Sequence, residues 1–248
     1  MNEARKNARV LVVGAGGLAA PTVLALAHAG IGTVGLVDDD EVEKTNLHRQ
    51  ILFRESDVGA PKTEALKAAI ERENGRIHVE VHPTRFLPPN AVDLASMYDL
   101  VVEGSDNFPT KFLAADACHI AKKPIVHASA LRWIGTVLAV GPAGRPCYRC
   151  LFEDIPKGDA PNCATAGVIG PVVGVVGALQ ADLALKIVDM STNGAKADAP
   201  FGELVTFDGK TEEIRRRRIA PRHACALCGD EKKRQIHEVT MARYVEEG

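Results

Sequence analysis

The sequence predicts an α/β protein built on a Rossmann-like, mostly parallel sheet with helices on both faces. Three observations support this fold class. An apolar run at 10–13 enters the glycine-rich turn GAGGLA at 14–19. A second β-rich run at 33–37 ends in three consecutive aspartates. Further short apolar runs alternate with segments of helical periodicity, which is the order of elements in a βαβ fold.

Local patterns assign the elements in order. Strands are expected at 10–13, 33–37, 77–81, 99–102 and 124–128, with helices at about 17–29, after Pro61 and at about 109–121. Proline favours a helix start because its missing N–H is not needed there. The alternating run 133–140 predicts an antiparallel extension, and 168–188 predicts a long buried helix. Runs at 204–207 and 214–217 predict a hairpin around Asp208-Gly209, with the arginines at 215–218 on a solvated edge strand.

Composition limits the class of protein. The chain has 248 residues, a formal net charge of −2, 46% hydrophobic residues and only 4% aromatic residues. The charge argues against nucleic acid as a partner, and the few aromatic residues argue against base-stacking surfaces. The longest apolar stretch, 168–179, is cut by Gln180 and Asp182 and is too short for a transmembrane helix. We expect one cytoplasmic domain over 1–248 with no membrane partner.

The glycine-rich turn has the spacing G-x-G-x-x-A, with Ala19 in the third position. Glycines let the backbone approach a phosphate, and the following helix offers free N–H groups and the positive end of its dipole. Asp38 follows at the distance where an acid meets a ribose hydroxyl. A tight turn without a ligand is the alternative. The acid favours nucleotide binding by Gly14, Gly16, Gly17 and Asp38.

A polar cluster follows the aspartates. A plain dinucleotide dehydrogenase does not need such a cluster. The cluster contains Asn46, Arg49 and Gln50. Arginine supplies a forked, permanent charge for phosphate oxygens, and the amides add donors. Lys62 stands at a helix start, where a cation opposes the helix dipole, so a phosphate role explains it better than helix stability does. A polar surface turn and an exposed lysine are the alternatives.

Asp106 and Asn107 stand between an expected parallel strand and the next helix. Open α/β sheets bind their ligands at this edge, and Asp106 is a natural magnesium ligand. A plain N-cap is the alternative, and it is compatible with that role. Of the three aspartates at 38–40, one is expected to meet ribose and another to serve a metal or orient the next loop. Asp39 is expected to be a solvated turn residue.

The six cysteines suggest a metal site. Four of them form two C-x-x-C pairs: Cys147 with Cys150, and Cys225 with Cys228. Four thiolates are the closed tetrahedral set of structural zinc, and two redox dithiols are the alternative. Cys163 lies in a polar stretch outside this set, where it is a candidate nucleophile or an incidental loop residue. Cys118 is expected to pack inside a helix.

Together these motifs resemble the ThiF/MoeB/HesA family of ubiquitin-activating-like enzymes. The resemblance covers about 9–229. It rests on GAGGL at 14–18, D-x-D at 38–40, NLHRQ at 46–50, PK at 61–62, SDN at 105–107, CYRC at 147–150 and TAGVIGP at 165–171. Within the family, two features favour the thiamine-pathway branch. The sequence of the stretch 162–171 resembles that branch, and so does the lack of an appended rhodanese-like domain.

The resemblance implies ATP-dependent adenylylation of the C-terminal glycine of a small ubiquitin-like sulfur carrier, ThiS- or MoaD-like and ending in Gly-Gly. The implied roles are phosphate binding by Gly14, Gly16 and Gly17, ribose binding by Asp38 with Asp40 nearby, triphosphate binding by Asn46, Arg49, Gln50 and Lys62, magnesium binding by Asp106 beside Asn107, zinc binding by the paired cysteines, and acyl or persulfide transfer by Cys163. It also implies a homodimer and a sulfur donor such as a cysteine desulfurase or rhodanese. The nucleotide part would cover about 9–130; the crossover loop, zinc and carrier-binding part would cover about 131–229.

Three positions depart from the family pattern. Family members carry an N-terminal segment whose arginine reaches the partner subunit's phosphates, and here Arg5 is the candidate replacement. Ala19 and His48 replace a glycine and a glutamine. A nicotinamide-dependent oxidoreductase and a non-catalytic nucleotide-binding scaffold are the alternative functions. Within the family, the alternative is activation for a ubiquitin-like conjugation system or a natural-product sulfur carrier.

Overall fold

The structure is a computed structural model, and it describes residues 2–142, 144–156, 167–193 and 199–245. The strands are β1 (Arg9–Val13), β2 (Thr33–Val37), β3 (His78–His82), β4 (Leu100–Glu103), β5 (Ile125–Leu131), β6 (Ile134–Val140), β7 (Glu203–Asp208) and β8 (Glu213–Arg218). They form one sheet in the order β3-β2-β1-β4-β5-β6-β7-β8. The first five strands pair in parallel, and β6, β7 and β8 pair antiparallel. The predicted Rossmann-like sheet and its antiparallel extension are confirmed.

The helices are α1 (Glu3–Asn7), α2 (Ala19–His28), α3 (Lys62–Glu73), α4 (Pro88–Ser96), α5 (Phe108–Ile120), α6 (Tyr148–Leu151), α7 (Gly170–Asn193) and α8 (Met241–Tyr244). Short 3₁₀ turns occur at Lys44–Asn46, Glu55–Asp57 and Glu231–Lys233. The sequence pattern did not predict α1, α4 or α6. Helix α4 begins with two prolines, and the side chain of Asn90 accepts a hydrogen bond from the Leu87 N–H at its start.

Two hydrophobic cores cover the two faces of the sheet. Side chains alternate along a strand, so Val10 and Val12 point to one face while Leu11 and Val13 point to the other. The first core contains residues of α2, α3 and α7. The second contains residues of α4 and α5, Cys118 among them, together with the four cysteines of the two C-x-x-C pairs. Helices therefore lie on both faces, as predicted.

Helix α7 is the long buried helix of the prediction. It is the one helix within the described ranges that is long and apolar enough to cross a membrane, and 56% of its apolar window is buried inside the protein. Gln180 is buried at its centre and donates to the main-chain oxygens of Glu103 and Val126. A Cβ on Gly177 would lie 2.3 Å from Cγ of Pro21 on α2, so glycine permits this close helix contact. The helix packs as a core element against α2, β5 and β6.

The order of the strands fixes where a ligand can bind. Strands β2 and β3 extend the sheet on one side of β1, and β4 lies on its other side. The connections reverse direction between β1 and β4, which opens a crevice at the carboxyl ends of these strands. The predicted hairpin is also confirmed: β7 and β8 pair around 209–212, and the arginines of β8 are exposed at the sheet edge.

Candidate functional site

A cavity of about 570 Å³ opens at the carboxyl ends of β1, β2 and β4. All eleven residues that the sequence predicted for nucleotide binding line it: Gly14, Gly16, Gly17, Asp38, Asp40, Asn46, Arg49, Gln50, Lys62, Asp106 and Asn107. They come from five separate segments of the chain. The topological switch point of the sheet brings them together, as expected for an open α/β fold.

The glycine turn forms the floor of the cavity. Gly14 has a φ of +90°, and a Cβ there would lie 3.2 Å from the Ser105 backbone nitrogen. Glycine is therefore needed both for the backbone conformation and for the close approach of the loop after β4. A Cβ on Gly17 would lie 3.1 Å from the main-chain oxygen of Arg49. The turn is thus packed between two other segments of the site.

Asp38 organises the turn from the end of β2. One carboxylate oxygen accepts from the Ala15 N–H at 2.7 Å, and the other accepts from the Asp40 N–H at 2.8 Å. Burial raises the pKa of Asp38, and these two backbone bonds oppose that rise. The carboxylate therefore fixes the geometry of the glycine turn. Its contact with ribose stays a prediction.

Two cationic side chains line the cavity, and they differ in whether they have an ion-pair partner among the described residues. Lys62 Nζ lies 2.6 Å from Asp40 Oδ2; the lysine side chain is 9% exposed and the aspartate side chain is 67% exposed. Arg49 is half-buried in the cavity wall, and its guanidinium has no ion-pair or hydrogen-bond partner among the described residues. Nearby, Gln50 is buried, and its Oε1 has no partner in the described part of the chain. Among the residues that the structure describes, the wall thus presents an unpaired cation beside a polar atom without a partner.

The loop after β4 supplies the carboxylate side of the cavity. Asp106 is exposed to the cavity and has no side-chain partner within the described ranges. Asn107 Oδ1 accepts from the Thr110 N–H at 2.9 Å and caps α5, as the N-cap alternative expected. An aspartate oxygen at this position suits Mg²⁺. The carboxylates of 38–40 also lie within 4.8 Å of one another, a spacing that occurs often in acidic clusters without an ion.

The sequence analysis missed several residues of the cavity wall, among them an arginine and a phenylalanine. Arg85 and Phe86 follow β3 and line the same cavity. No local motif marks them, since only the sheet order brings the end of β3 near the glycine turn. The sequence analysis also missed Glu103, which accepts a hydrogen bond from the loop that carries Asp106, and its partner Lys111.

The four paired cysteines meet in one buried cluster, here called the four-cysteine cluster. Its members are Cys147, Cys150, Cys225 and Cys228. The Sγ atoms of 147 and 225 are 3.5 Å apart, those of 150 and 228 are 3.4 Å apart, and those of 147 and 150 are 4.0 Å apart. Tetrahedral zinc with bonds of about 2.3 Å sets sulfur separations of about 3.8 Å. The donor set fits structural zinc, and the separations are too long for disulfides of about 2.05 Å.

The remaining predicted residues lie away from the cavity or outside the described part. Cys163 lies outside the described residues. Cys118 is buried in α5, where burial raises the pKa of its thiol, so it packs as predicted. Arg5 is paired with Asp189 on α7 at 2.6 Å, and this contact attaches α1 to the core. Within this chain, Arg5 therefore does not contribute to the cavity.

Comparison with known proteins identifies the family of this chain. The chain matches the ThiF family over residues 2–228. "Adenylyltransferase and sulfurtransferase MOCS3" from Anopheles gambiae is 43% identical over 227 residues, covering 91% of this chain and 50% of that protein. "Sulfur carrier protein adenylyltransferase" from Thermus thermophilus is 40% identical over 236 residues, covering 92% of this chain and 85% of that protein. The chain therefore spans about half the length of the MOCS3 relatives.

Solved structures show the same fold. Escherichia coli MccB with MccA-N7isoASN aligns with a TM-score of 0.79 and 25% identity, covering 92% of this chain and 68% of that chain. MccB with ATP aligns with a TM-score of 0.76 and 26% identity over the same shares. A glycine turn, a polar cavity at the sheet's switch point and a four-cysteine cluster thus occur together in a chain that matches the model of one family over residues 2–228. The chain belongs to the ThiF family.

Proposed function

We propose that this protein is an adenylyltransferase that uses ATP to activate the C-terminal glycine of a small ubiquitin-like sulfur carrier in the cytoplasm. One observation carries the proposal: Arg49, Lys62 and the Asp106 carboxylate share a cavity with the glycine turn. A dinucleotide dehydrogenase needs no such set of charges. The names of the MOCS3 and Thermus relatives support the reaction class, and the ATP complex of MccB supports the nucleotide.

The reaction is limited by charge repulsion rather than by proton transfer. A C-terminal carboxylate has an ordinary pKa of about 3.5 and is already ionised at neutral pH, so it needs no general base. It attacks the α-phosphorus of ATP, the bond to the bridging oxygen breaks, and pyrophosphate leaves. Arg49 and Lys62 would reduce the electrostatic repulsion between the carboxylate and the triphosphate. They would also stabilise the negative charge that spreads over the phosphates in the transition state.

Magnesium and zinc have separate roles in this proposal. Asp106 would hold Mg²⁺, which neutralises phosphate charge when bound. The four-cysteine cluster would hold zinc with no open coordination position, so zinc ties the C-terminal segment to α6 and takes no part in the reaction. Asp38 would bind ribose, Gly14, Gly16 and Gly17 would border the phosphates, and Asp40, Asn46, Gln50 and Asn107 would complete the nucleotide site.

The acyl-adenylate is then open to attack by sulfur. The terminal sulfur of a persulfide, on a donor such as a cysteine desulfurase or rhodanese or on Cys163, would attack the acyl carbon; the bond to the AMP oxygen breaks, AMP leaves and an acyl disulfide forms. A second thiol would then attack the donor-side sulfur of this disulfide, which releases the carrier thiocarboxylate and leaves a disulfide behind. We place the reaction in thiamine or related cofactor biosynthesis, with a homodimer as the working unit. Activation for a ubiquitin-like conjugation system or a natural-product sulfur carrier is the second candidate, favoured by the likeness to MccB, which one solved structure names as a microcin C7 biosynthetic enzyme.

ATP–pyrophosphate exchange tests the proposal. Exchange should depend on one Gly-Gly-ended carrier, and Arg49→Ala or Asp106→Ala should reduce it by about 10²-fold or more with the fold retained. Arg76→Ala is the matched control, since Arg76 is exposed and lies outside the cavity lining. Near-normal exchange in either site variant would refute the assignment. A thiocarboxylate product favours the sulfur carrier over conjugation, and hydride transfer without exchange would mean an oxidoreductase.

A further inference from the structure

A buried charged cluster lies beneath the loop that carries Asp106. It consists of Glu103 at the end of β4, Lys111 on α5 and His127 on β5, here called the buried triad. Lys111 Nζ and His127 Nδ1 each lie 3.0 Å from Glu103 Oε2. The three residues are 0%, 4% and 3% exposed. Lys111 also donates to the Ala128 main-chain oxygen at 2.6 Å. The charges are therefore compensated inside the protein.

Stability alone does not explain the buried triad. Taking a carboxylate and an ammonium out of water costs several kcal/mol for each ion, and well-packed apolar side chains of similar volume stabilise a core as well or better. Burial raises the pKa of Glu103, but Lys111 and His127 outweigh this effect and hold that pKa at about 2. Glu103 is thus held as a carboxylate in a place where an apolar residue would pack more simply.

The second oxygen of Glu103 holds the cavity loop. Glu103 Oε1 accepts from the Ser105 N–H at 2.7 Å and also from the Ser105 hydroxyl. The main-chain oxygen of Glu103 is held as well, because Gln180 Nε2 donates to it at 2.8 Å. Ser105 and Asp106 both line the cavity. The chain of contacts therefore runs from the buried triad to the turn that presents Asp106.

The loop has little space in which to move. A Cβ on Gly104 would lie 3.1 Å from Cβ of Leu18, at the start of α2. The Ser105 nitrogen in turn lies against Gly14. A shift of the Asp106 turn would thus collide with the glycine turn or leave the Ser105 N–H without its acceptor.

We propose that Glu103 is a positioning residue: held by Lys111 and His127, it fixes the Ser105 backbone so that Asp106 is presented to the cavity in one geometry. This inference rests on the proposed adenylylation for its effect on rate. It requires no change in the nucleotide contacts of the glycine turn, and it predicts that the rate falls more than nucleotide affinity does.

The test uses the double variant Glu103→Met/Lys111→Met, which removes both buried charges together with the oxygen that accepts from the Ser105 N–H. In the ligand-free protein, amide hydrogen exchange at Ser105 and Asp106 should accelerate, while the capped Thr110 amide should keep its protection. In ATP–pyrophosphate exchange, kcat should fall by about tenfold or more and the half-saturating Mg²⁺ concentration should rise, because small misplacements at a reacting centre cost up to about 10²-fold. KM for ATP should stay within about twofold, since those contacts remain.

The matched control is Arg9→Met/Glu80→Gln, which removes a half-buried ion pair between the first residue of β1 and the middle of β3, outside the cavity lining. It should leave Ser105 exchange and kcat unchanged. If the double variant does not fold, Ser105→Ala removes only the hydroxyl bond to Glu103 and should change the same quantities in the same direction.

Coupling to Asp106 completes the test. In an Asp106→Ala background, the Glu103 variant should cause almost no further loss of kcat, because residues that act through one another are not additive. A full additional loss, an unchanged Ser105 amide, or the same change in the Arg9/Glu80 control would overturn the inference. If the wild type shows no exchange with any carrier, the proposed function fails, while the Ser105 amide still decides whether Glu103 fixes the turn.

Discussion

The ion pair between Lys62 and Asp40 makes it possible to separate folding from catalysis with one substitution. Lys62→Met removes the cation and keeps an unbranched stem of similar length in the same space. Lys62 is the first residue of α3, where a cation opposes the helix dipole. Its partner Asp40 is 67% exposed and returns to water when the lysine is removed.

The expected effect on stability is small. A pair with one solvated partner contributes at most about 1 kcal/mol. Relief of the unfavourable dipole contact returns about 0.3–1 kcal/mol. We therefore expect the free energy of unfolding to stay within about 1 kcal/mol of the wild type, with the loss of the pair and the relief of the dipole nearly cancelling.

The expected effect on the reaction is large. A preorganised group that stabilises charge in the transition state is worth about 3–4 kcal/mol, or about 10²–10³ in rate. ATP–pyrophosphate exchange measures this loss, and urea unfolding measures stability on the same preparation. Lys44→Met is the matched control, because its pair with Glu55 is exposed at both ends, at 74% and 73%, and lies outside the cavity lining.

Two results would refute this reasoning. Exchange within about fivefold of the wild type would show that Lys62 does not act on the phosphates. A loss of more than about 3 kcal/mol in stability would show that the lysine is a structural residue and that lost activity reflects unfolding. A matching loss of activity in the Lys44 variant would point to the whole segment rather than to the cavity.

Three further predictions concern the parts around the cavity. Elemental analysis should find zinc bound to the wild type and lost in Cys225→Ser, with a lower Tm, because ligand binding energy is folding energy in such sites. Arg149→Met should cost about 3–5 kcal/mol in urea unfolding, because it leaves the buried Asp116 carboxylate without its cation; a cost below about 1 kcal/mol would contradict this. Stability should fall as the pH drops below about 6.5, because burial lowers the pKa of His127, so the unfolded state binds the proton more readily. A second loss of stability should follow between pH 4.5 and about 2, because Glu103 is then protonated in the unfolded state but not in the folded one. Thermal melts over pH 2–8 measure both losses of stability. A melting temperature that does not change over this range would refute both predictions.

The local sequence was enough to predict the fold class of this protein and the order of most of its strands and helices. The order of apolar runs, the glycine turn and the aspartates predicted a parallel sheet with an antiparallel extension, because side-chain period and turn chemistry act over a few residues. The same logic placed the glycine turn, Asp38 and the pair Asp106-Asn107 at the carboxyl ends of strands. Parallel strands bring those ends to one edge whatever the loops between them do.

Only the folded chain decided which charges meet. Glu103, Lys111 and His127 carry no shared motif, and their contact depends on the packing of α5 between β4 and β5. The pairing of Lys62 with Asp40, and the position of Arg49 in the cavity wall, depend on how the segment 41–61 returns to the sheet. Helix α4 and the cavity position of Arg85 were missed for the same reason.

The two C-x-x-C pairs show the division clearly. Their spacing indicated a four-thiolate set, but only the fold places the sulfurs of Cys147 and Cys225 within 3.5 Å of each other. Sequence periodicity determines elements through contacts between near neighbours. The site depends on contacts between residues far apart in the chain, and these form only when burial of both sheet faces selects one arrangement of the elements.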